Sequence, residues 1–380
     1  MEMCRDLLPV LLGYVLRQES VPAGLVSQEQ WPQLMETAAR HKVLSTLACI
    51  LPLLEENPSQ DVCERLEGVV MQQMLVSSNQ LFAAQQLQQT FEEQGIFNLT
   101  LKGIHTKMHY PQDYMRTMGD LDVLCKAEQN AQVRTAMREL DYSGFKEGRK
   151  HDHYCRQPYV NVEIHRQLVS ASSEFSDYYK DIWKRCQVRP GCSFSYSMSV
   201  EDEYLFHLIH LVEHFLGGGI GIRFVMDVYV YENRVAMDRK YLDWELHKLG
   251  LMEFYERLVK LAGYWFDKQE PDALTLQLAS FVLSGGVYGS RQNAQALSVT
   301  KKGRAAFLIQ ACFPLLGEMG TMFPWVMKFP ILLPVAWLIR GVRSLLYRRR
   351  NIKAQLDAFT CGDVEYGRQL RQFYRDCGLK

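Results

Sequence analysis

The 380-residue sequence lacks a net charge, a paired-cysteine motif and a long uninterrupted hydrophobic run. Its 43 Lys and Arg residues balance 43 Asp and Glu residues. This balance excludes a protein that mainly covers a nucleic-acid backbone, because that task needs a strong excess of basic residues. We therefore expect no extended nucleic-acid binding, and any phosphate chemistry must be local.

The ten cysteines are scattered, and no two of them have the C-x-x-C spacing of a zinc or redox site. Scattered cysteines in a long chain indicate reduced thiols, so we expect a cytoplasmic protein. The most apolar stretch, residues 329–339, contains two prolines and is much shorter than the ~20 residues that a membrane-spanning helix needs. The sequence thus predicts no transmembrane segment.

A basic stretch follows this apolar segment and contains Arg340, Arg343 and three consecutive arginines at 348–350. Residues 322–350 either lie on a membrane surface as a basic amphipathic segment or form a buried helix that a solvated basic turn follows. The chain carries no other lipid signal, which favours the buried helix. Peripheral membrane contact is the alternative.

The hydrophobic pattern changes twice along the chain. Apolar residues recur at helical spacing up to about residue 93, and β-like stretches follow at 96–101, 121–125, 144–147, 152–156 and 160–165, with a helical run at 127–140. The remainder is again helical. We predict an α+β protein with an N-terminal helical region (1–90), a small mixed β-sheet core (91–185) and a C-terminal helical region (186–380).

The most informative segment is the D-x-D pair Asp120 and Asp122, which follows Gly119. On a strand, residues two apart share a face, so the two carboxylates lie together while Leu121 and Val123 face a core. Adjacent carboxylates repel one another unless a cation lies between them, and Mg²⁺ prefers such oxygen ligands.

A second strand, residues 160–165, alternates in the same way and sends Asn161, Glu163 and His165 to one side. If this strand neighbours the first, Glu163 lies beside both aspartates. Three carboxylates on two strands can hold two Mg²⁺ ions for in-line phosphoryl or nucleotidyl transfer. An isolated D-x-D also occurs by chance, so this interpretation depends on the pairing of the two strands.

The order of motifs resembles the uncharacterised nucleotidyltransferase family, which has the polymerase-β-type minimal fold. The resemblance covers about residues 95–170. The motifs are Leu101-Lys102-Gly103, Arg116-x-x-Gly119-Asp120-Leu121-Asp122, a turn with Gly144, His151 with His153, and Val162-Glu163-Ile164-His165.

The resemblance implies that Asp120, Asp122 and Glu163 bind the two catalytic Mg²⁺ ions. It also implies an NTP donor, for which we expect ATP, transfer of its nucleoside monophosphate and release of pyrophosphate. The acceptor is an unidentified hydroxyl, phosphate or protein side chain, on a small molecule or a protein. No motif encodes it.

The resemblance places Lys102, Gly103, Arg116 and Gly119 at the nucleotide. Gly103 matches the glycine of the phosphate-side turn, while Lys102 and Arg116 either neutralise phosphate charge or form structural ion pairs. The family usually has Ser or a second Gly after that first glycine, whereas this chain has Ile104. This departure supports the alternative function, a catalytically inactive nucleotide-binding or scaffold protein that retains the fold.

Three histidines, His207, His210 and His214, lie at i, i+3 and i+7 on one predicted helix. They either line the acceptor-substrate side of the cleft or are hydrogen-bonded packing residues. Asp227 either reaches the same cleft or pairs with Arg223.

His151 and His153 share a strand face, and His165 is expected nearby. His165 belongs to the expected substrate side of the cleft. The three histidines would also suit a transition metal, although no carboxylate or cysteine spacing within the sequence supports zinc.

Overall fold

The computed structural model describes residues 3–146, 148, 151–158, 160–170, 173–302, 313–323, 325–347 and 363–379. The chain divides into two compact units, one of Met1–Glu213 with Ile220–Val287 and one of His214–Gly219 with Tyr288–Lys380. The region boundaries expected near residues 90 and 185 stay a prediction. The three arginines at 348–350 lie outside the described residues.

The first unit combines helices with one mixed sheet. Its helices are α1 (Met3–Arg17), α2 (Trp31–Arg40), α3 (Leu44–Ala48), α4 (Gln60–Glu93), α5 (Gly103–Met108), α6 (Asn130–Glu139), α7 (Ser176–Tyr179), α8 (Val200–Gly217, whose last four residues belong to the second unit), α9 (Ile222–Arg234), α10 (Arg239–Leu249), α11 (Met252–Phe266) and α12 (Ala273–Ser284). Its strands are β1 (Asn98–Thr100), β2 (Leu121–Cys125), β3 (Ser143–Lys146), β4 (His151–Arg156), β5 (Val160–His165), β6 (Gln187–Val188) and β7 (Ser195–Ser197).

The strand order is β3-β4-β5-β2-β1-β7-β6, and β2 pairs with β5 in parallel and with β1 antiparallel. The predicted α+β class with a mixed sheet and helical flanks is confirmed. The sequence pattern does not predict β6 and β7, which lie shortly before α8. Both are very short, and β7 pairs with β1, far away in sequence, so local periodicity gives no signal for them.

One buried core of this unit lies against one face of the sheet. Leu121, Val123, Val162 and Ile164 belong to a buried apolar cluster that also contains residues of α4 and α6. Their alternation with polar residues leaves the carboxylates of β2 and β5 on the opposite face. Burial of the apolar face therefore fixes the orientation of the polar one, since a slip by one residue would exchange them.

Gly144, expected in a turn, lies inside β3 at an irregularity of the β3–β4 pairing. Its φ of +66° is one that other residues rarely adopt, and an added Cβ would lie 2.6 Å from the Cys155 sulfur. Glycine is therefore needed for a bulge in the strand.

Among the described residues, the second unit is mainly helical and includes the last four residues of α8. Its helices are α13 (Arg291–Lys302), α14 (Leu316–Met322), α15 (Trp325–Lys328), α16 (Leu333–Tyr347) and α17 (Asp363–Asp376). Within the described ranges, no helix is long and apolar enough to cross a membrane.

The interpretation of residues 329–339 as a buried helix is wrong. Ile331 is 88% exposed and Leu338 is 71% exposed, whereas Ala336 is fully buried. Pro330 and Pro334 divide the segment into a short turn and the start of α16, so only part of one face packs inward. Hydrophobicity predicted burial here, but no neighbouring element among the described residues covers most of these side chains.

Candidate functional site

The sheet brings the three predicted carboxylates together. Asp122 lies in β2 and Glu163 in β5, and the parallel register pairs these two residues directly. Asp120 comes just before β2 on the same side. The neighbouring position of the two strands, on which the sequence interpretation depended, is confirmed.

Asp120 is the least compensated of the three carboxylates. It makes no hydrogen bond or ion pair with the residues that the structure describes, and burial, Glu163 and Asp122 all raise its pKa. A cation among these groups would relieve the repulsion, and carboxylate oxygens are the ligands that Mg²⁺ prefers. The donor set therefore fits a divalent ion.

Asp122 is held by two basic partners. Its Oδ1 accepts a hydrogen bond from His165 Nε2 at 2.7 Å, and Lys102 Nζ lies 3.6 Å from its Oδ2. Burial by itself raises the pKa of Asp122, but Lys102 and His165 bring it below its usual value. Conversely, burial lowers the pKa of His165, while its bonds to Asp122 and Glu163 raise it. The carboxylate is therefore ionised and fixed in position.

Glu163 is surrounded by histidines. In the antiparallel β4–β5 pair, His151 lies opposite His165 and His153 lies opposite Glu163. Glu163 Oε2 is 3.3 Å from His151 Nε2 and 3.5 Å from His165 Nε2, while Glu163 Oε1 is 3.3 Å from His153 Nδ1. We call these four residues the histidine–glutamate cluster.

The sequence pattern groups the three histidines of this cluster but does not predict Glu163 as their carboxylate partner. Glu163 is ten residues or more from His151 and His153 in sequence, and only the β4–β5 register joins them. Cross-strand pairing is thus the signal that linear spacing does not carry.

The turn before α5 lies beside the carboxylates. Lys102 Nζ is 3.4 Å from His210 Nε2 as well as close to Asp122, so His210 also belongs to this region. Gly103 is buried, and a Cβ there would lie 2.7 Å from the Met118 sulfur. A side chain at position 103 would therefore displace the flexible Met118 side chain.

The residue after this glycine does not face the carboxylates. Ile104 is 6% exposed and packs in the apolar cluster beneath the sheet. Gly119 is exposed just before Asp120. The phosphate-side turn therefore contains no hydroxyl at position 104.

Arg116 forms a buried ion pair with Asp227. Arg116 Nε donates to Asp227 Oδ1 at 2.7 Å, and a terminal nitrogen donates to Oδ2 at 2.9 Å. Tyr110 OH also donates to Oδ1 at 2.7 Å. The remaining terminal nitrogen of Arg116 is 3.4 Å from the carbonyl oxygen of Gly103. The structure thus gives Arg116 and Asp227 a structural role, and contact of Arg116 with a nucleotide stays a prediction.

The three histidines of α8 have different surroundings. His207 is 1% exposed with Nε2 3.4 Å from Asp227 Oδ2, and burial lowers its pKa to about 4. His210 lies near Lys102, whereas His214 contacts Tyr288 in the second unit, with ring centroids 4.8 Å apart. The structure therefore brings His210 to the carboxylate region and places His207 in the buried ion-pair region.

One protein family matches most of the first unit. A family model described as "Uncharacterised nucleotidyltransferase" matches residues 27–267, which is more than half of the chain. No curated protein and no solved structure matches the chain. The matched range includes the three carboxylates, the turn at Gly103 and the histidine–glutamate cluster.

Proposed function

Because the chain belongs to this uncharacterised nucleotidyltransferase family, we propose that it transfers a nucleoside monophosphate from an NTP to an acceptor and releases pyrophosphate. The convergence of Asp120, Asp122 and Glu163 on two paired strands carries the proposal. ATP is the expected donor. The acceptor is a hydroxyl, a phosphate or a protein side chain.

In this proposal Asp120 and Asp122 hold two Mg²⁺ ions and Glu163 supplies a third carboxylate. When bound, the ions would neutralise the triphosphate and activate the attacking oxygen. His165 keeps the Asp122 carboxylate in one orientation through its 2.7 Å hydrogen bond. The gain in rate would come mainly from positioning and charge neutralisation.

The residues around the carboxylates favour an anionic substrate. Lys102, with Nζ 3.6 Å from Asp122, supplies positive charge next to the proposed metal ligands. Gly103, next to Lys102, and the exposed Gly119, next to Asp120, have no side chains, so the backbone there is not covered by its own side-chain atoms. His210 contacts Lys102 and is the α8 histidine that we assign to the substrate side. A cytoplasmic location stays a prediction.

The second candidate is a catalytically inactive protein that binds nucleotide or acts as a scaffold. Ile104 favours it, because this side chain packs in the core and supplies no hydroxyl to the phosphate-side turn. The grouping of three carboxylates counts against it, since their mutual repulsion has no use without a cation.

Labelled nucleotides separate the two candidates. The protein is incubated in a cell extract with Mg²⁺ and each NTP, labelled on either the α or the γ phosphate. We expect α-label but no γ-label on an acceptor, with loss of transfer in Asp122→Asn. Asp61→Asn, at an exposed carboxylate of α4, is the matched control and should transfer normally.

Each other outcome rejects the transferase proposal. Transfer of the γ-label would indicate a phosphotransferase. Mg²⁺-dependent NTP binding without transfer of either label would favour the inactive protein.

We also propose that the second unit makes peripheral contact with anionic membranes. Val335, Leu338 and Val342 are spaced 3 and 4 residues apart, so they follow one face of α16, and each is at least 46% exposed. Residues 319–347 contain no Asp or Glu but have one Lys and two Arg. An apolar face with basic flanks suits the surface of an anionic bilayer.

Vesicle flotation tests this contact. The wild-type chain should float with phosphatidylserine vesicles and less with neutral phosphatidylcholine vesicles, and Leu338→Asp should abolish flotation. Phe82→Asp, at an exposed apolar residue of α4, is the control and should float normally. Flotation that persists in Leu338→Asp, or absence of flotation by the wild-type chain, would contradict this proposal.

A further inference from the structure

The histidine–glutamate cluster has the donor atoms of a transition-metal site. We infer that His151, Glu163 and His165 bind one divalent transition-metal ion of the Zn²⁺ or Co²⁺ type, with His153 beside it. One donor atom from each of the three residues lies within 4.8 Å of the other two. This inference goes beyond nucleotidyl transfer, because the ion would bind without a nucleotide.

The donor spacing fits a small ion. With donors about 2.0–2.1 Å from the metal, two ligands of a tetrahedral site are about 3.4 Å apart. Glu163 Oε2 is 3.3 Å from His151 Nε2 and 3.5 Å from His165 Nε2. The carboxylate oxygen thus already lies at a ligand-to-ligand distance from each imidazole nitrogen, and the two nitrogens are within 4.8 Å of each other.

The sheet holds these donors on rigid backbone. His151 and His153 alternate along β4, Glu163 and His165 alternate along β5, and direct cross-strand pairing joins the two rows. Four adjacent positions of one sheet face therefore carry three imidazoles and one carboxylate. Sites on strands keep ligand geometry better than sites on loops.

The cluster is sheltered but open to an entering ion. The side chains of His151, Glu163 and His165 are 25%, 16% and 11% exposed. His165 Nε2 now donates its proton to Asp122, so a bound ion would replace that proton and leave Asp122 beside the metal. Imidazole ligands release a proton when a metal ion binds, and these partly buried imidazoles can do the same.

The chemistry of the donors selects the class of ion. Imidazole suits Zn²⁺, Co²⁺ and Ni²⁺, whereas Mg²⁺ prefers oxygen ligands. Asp120 and Asp122 offer oxygen only, but Glu163 is shared with two imidazoles. A transition-metal ion held by the cluster would therefore occupy Glu163 and compete with Mg²⁺ for that carboxylate.

Titration with Co²⁺ alone tests the site, without nucleotide or Mg²⁺. Bound Co²⁺ gives visible d–d absorption, and a cysteine ligand would add an ultraviolet thiolate-to-metal band. We expect one Co²⁺ per chain, no thiolate band, displacement by Zn²⁺ and little displacement by excess Mg²⁺. Absence of d–d absorption, or a thiolate band, would overturn the inference.

Two ligand variants and one histidine control localise the ion. Loss of even an outer-shell partner weakens metal binding roughly 10–100-fold, so His151→Gln and Glu163→Gln should each weaken Co²⁺ binding at least tenfold. His247→Ala, at an exposed histidine of α10, should leave it unchanged. Unchanged affinity in both ligand variants, with thermal unfolding like that of the wild type, would place the ion elsewhere.

A further variant keeps this result separate from the proposed transferase. Asp120→Asn should abolish Mg²⁺-dependent nucleotide binding but retain Co²⁺ binding, because Asp120 lies outside the cluster. Loss of Co²⁺ binding in folded Asp120→Asn would contradict the assignment to the cluster. Failure of nucleotide binding in every form, with Co²⁺ binding intact, would reject the transferase alone.

Discussion

Replacement of Asp227 by Asn should destabilise the first unit strongly. Both oxygens of Asp227 accept hydrogen bonds from Arg116, and Tyr110 OH donates to Oδ1. The side chain of Asp227 is fully buried and that of Arg116 is 5% exposed. Asn keeps the shape of the site but removes the charge, which leaves the guanidinium buried without a counterion.

Burial of the Arg116–Asp227 pair determines how much free energy of unfolding is lost. Burial raises the pKa of Asp227, but Arg116 and His207 more than offset this and hold it below its usual value. Removal of one partner of a buried ion pair typically costs about 3–5 kcal/mol. We expect a cost in that range here, because the hydrogen bonds from Arg116 to Asp227 are short and bidentate. An exposed pair costs about 0–1 kcal/mol.

Urea unfolding followed by circular dichroism measures the change. Asp227→Asn should lower the free energy of unfolding by about 3 kcal/mol or more. Asp61→Asn, in the exposed Asp61–Arg65 pair, should change it by less than about 0.5 kcal/mol. The double variant Arg116→Met/Asp227→Leu should recover much of the loss, because it removes both charges. A loss below about 1 kcal/mol in Asp227→Asn would refute the buried-pair assignment.

Three further predictions concern single residues of the first unit. Burial raises the pKa of Glu203 from 4.5 to about 8, so the folded chain keeps a proton that the unfolded chain releases, and stability falls as pH rises from about 4.5 to 8. Glu203→Gln should make the decrease in unfolding free energy over this pH range smaller by at least about 1 kcal/mol. An unchanged pH dependence in urea unfolding would contradict this prediction. Gly103→Ala should weaken Mg²⁺-dependent ATP binding, because its methyl group would displace the Met118 side chain, two residues before Asp120, whereas Gly68→Ala, with open space around it, should bind ATP normally in calorimetry. Ile104→Ser should cost about 2–4 kcal/mol of unfolding free energy, and a cost near zero would show that the side chain is not part of the core.

The carboxylate face of the sheet was predictable because it depends on local alternation. Leu121 and Val123 alternate with Asp120 and Asp122, so burial of one pair fixes the direction of the other. The α+β class was predictable because the hydrophobic pattern changes from helical spacing to strand alternation and back. Each of these signals can be read within a single segment of the chain.

The partners of the site were not predictable because they depend on contacts between distant segments. Asp227 pairs with Arg116, 111 residues away in sequence, whereas the sequence suggested the neighbouring Arg223. Glu163 meets His151 through strand register, and position 104 points into the core because α5 begins at Gly103. Charge and spacing limit such choices, but packing decides them.

Calorimetric titration of ATP with and without Mg²⁺ tests the proposed nucleotide site most directly, on the wild-type chain and on Asp120→Asn/Asp122→Asn. GTP, CTP and UTP are titrated in parallel. Binding of one nucleotide that requires Mg²⁺ and disappears in the folded double variant is the result that the carboxylate site predicts. Absence of binding by all four nucleotides to the folded wild-type protein, or equal binding by the double variant, would contradict it.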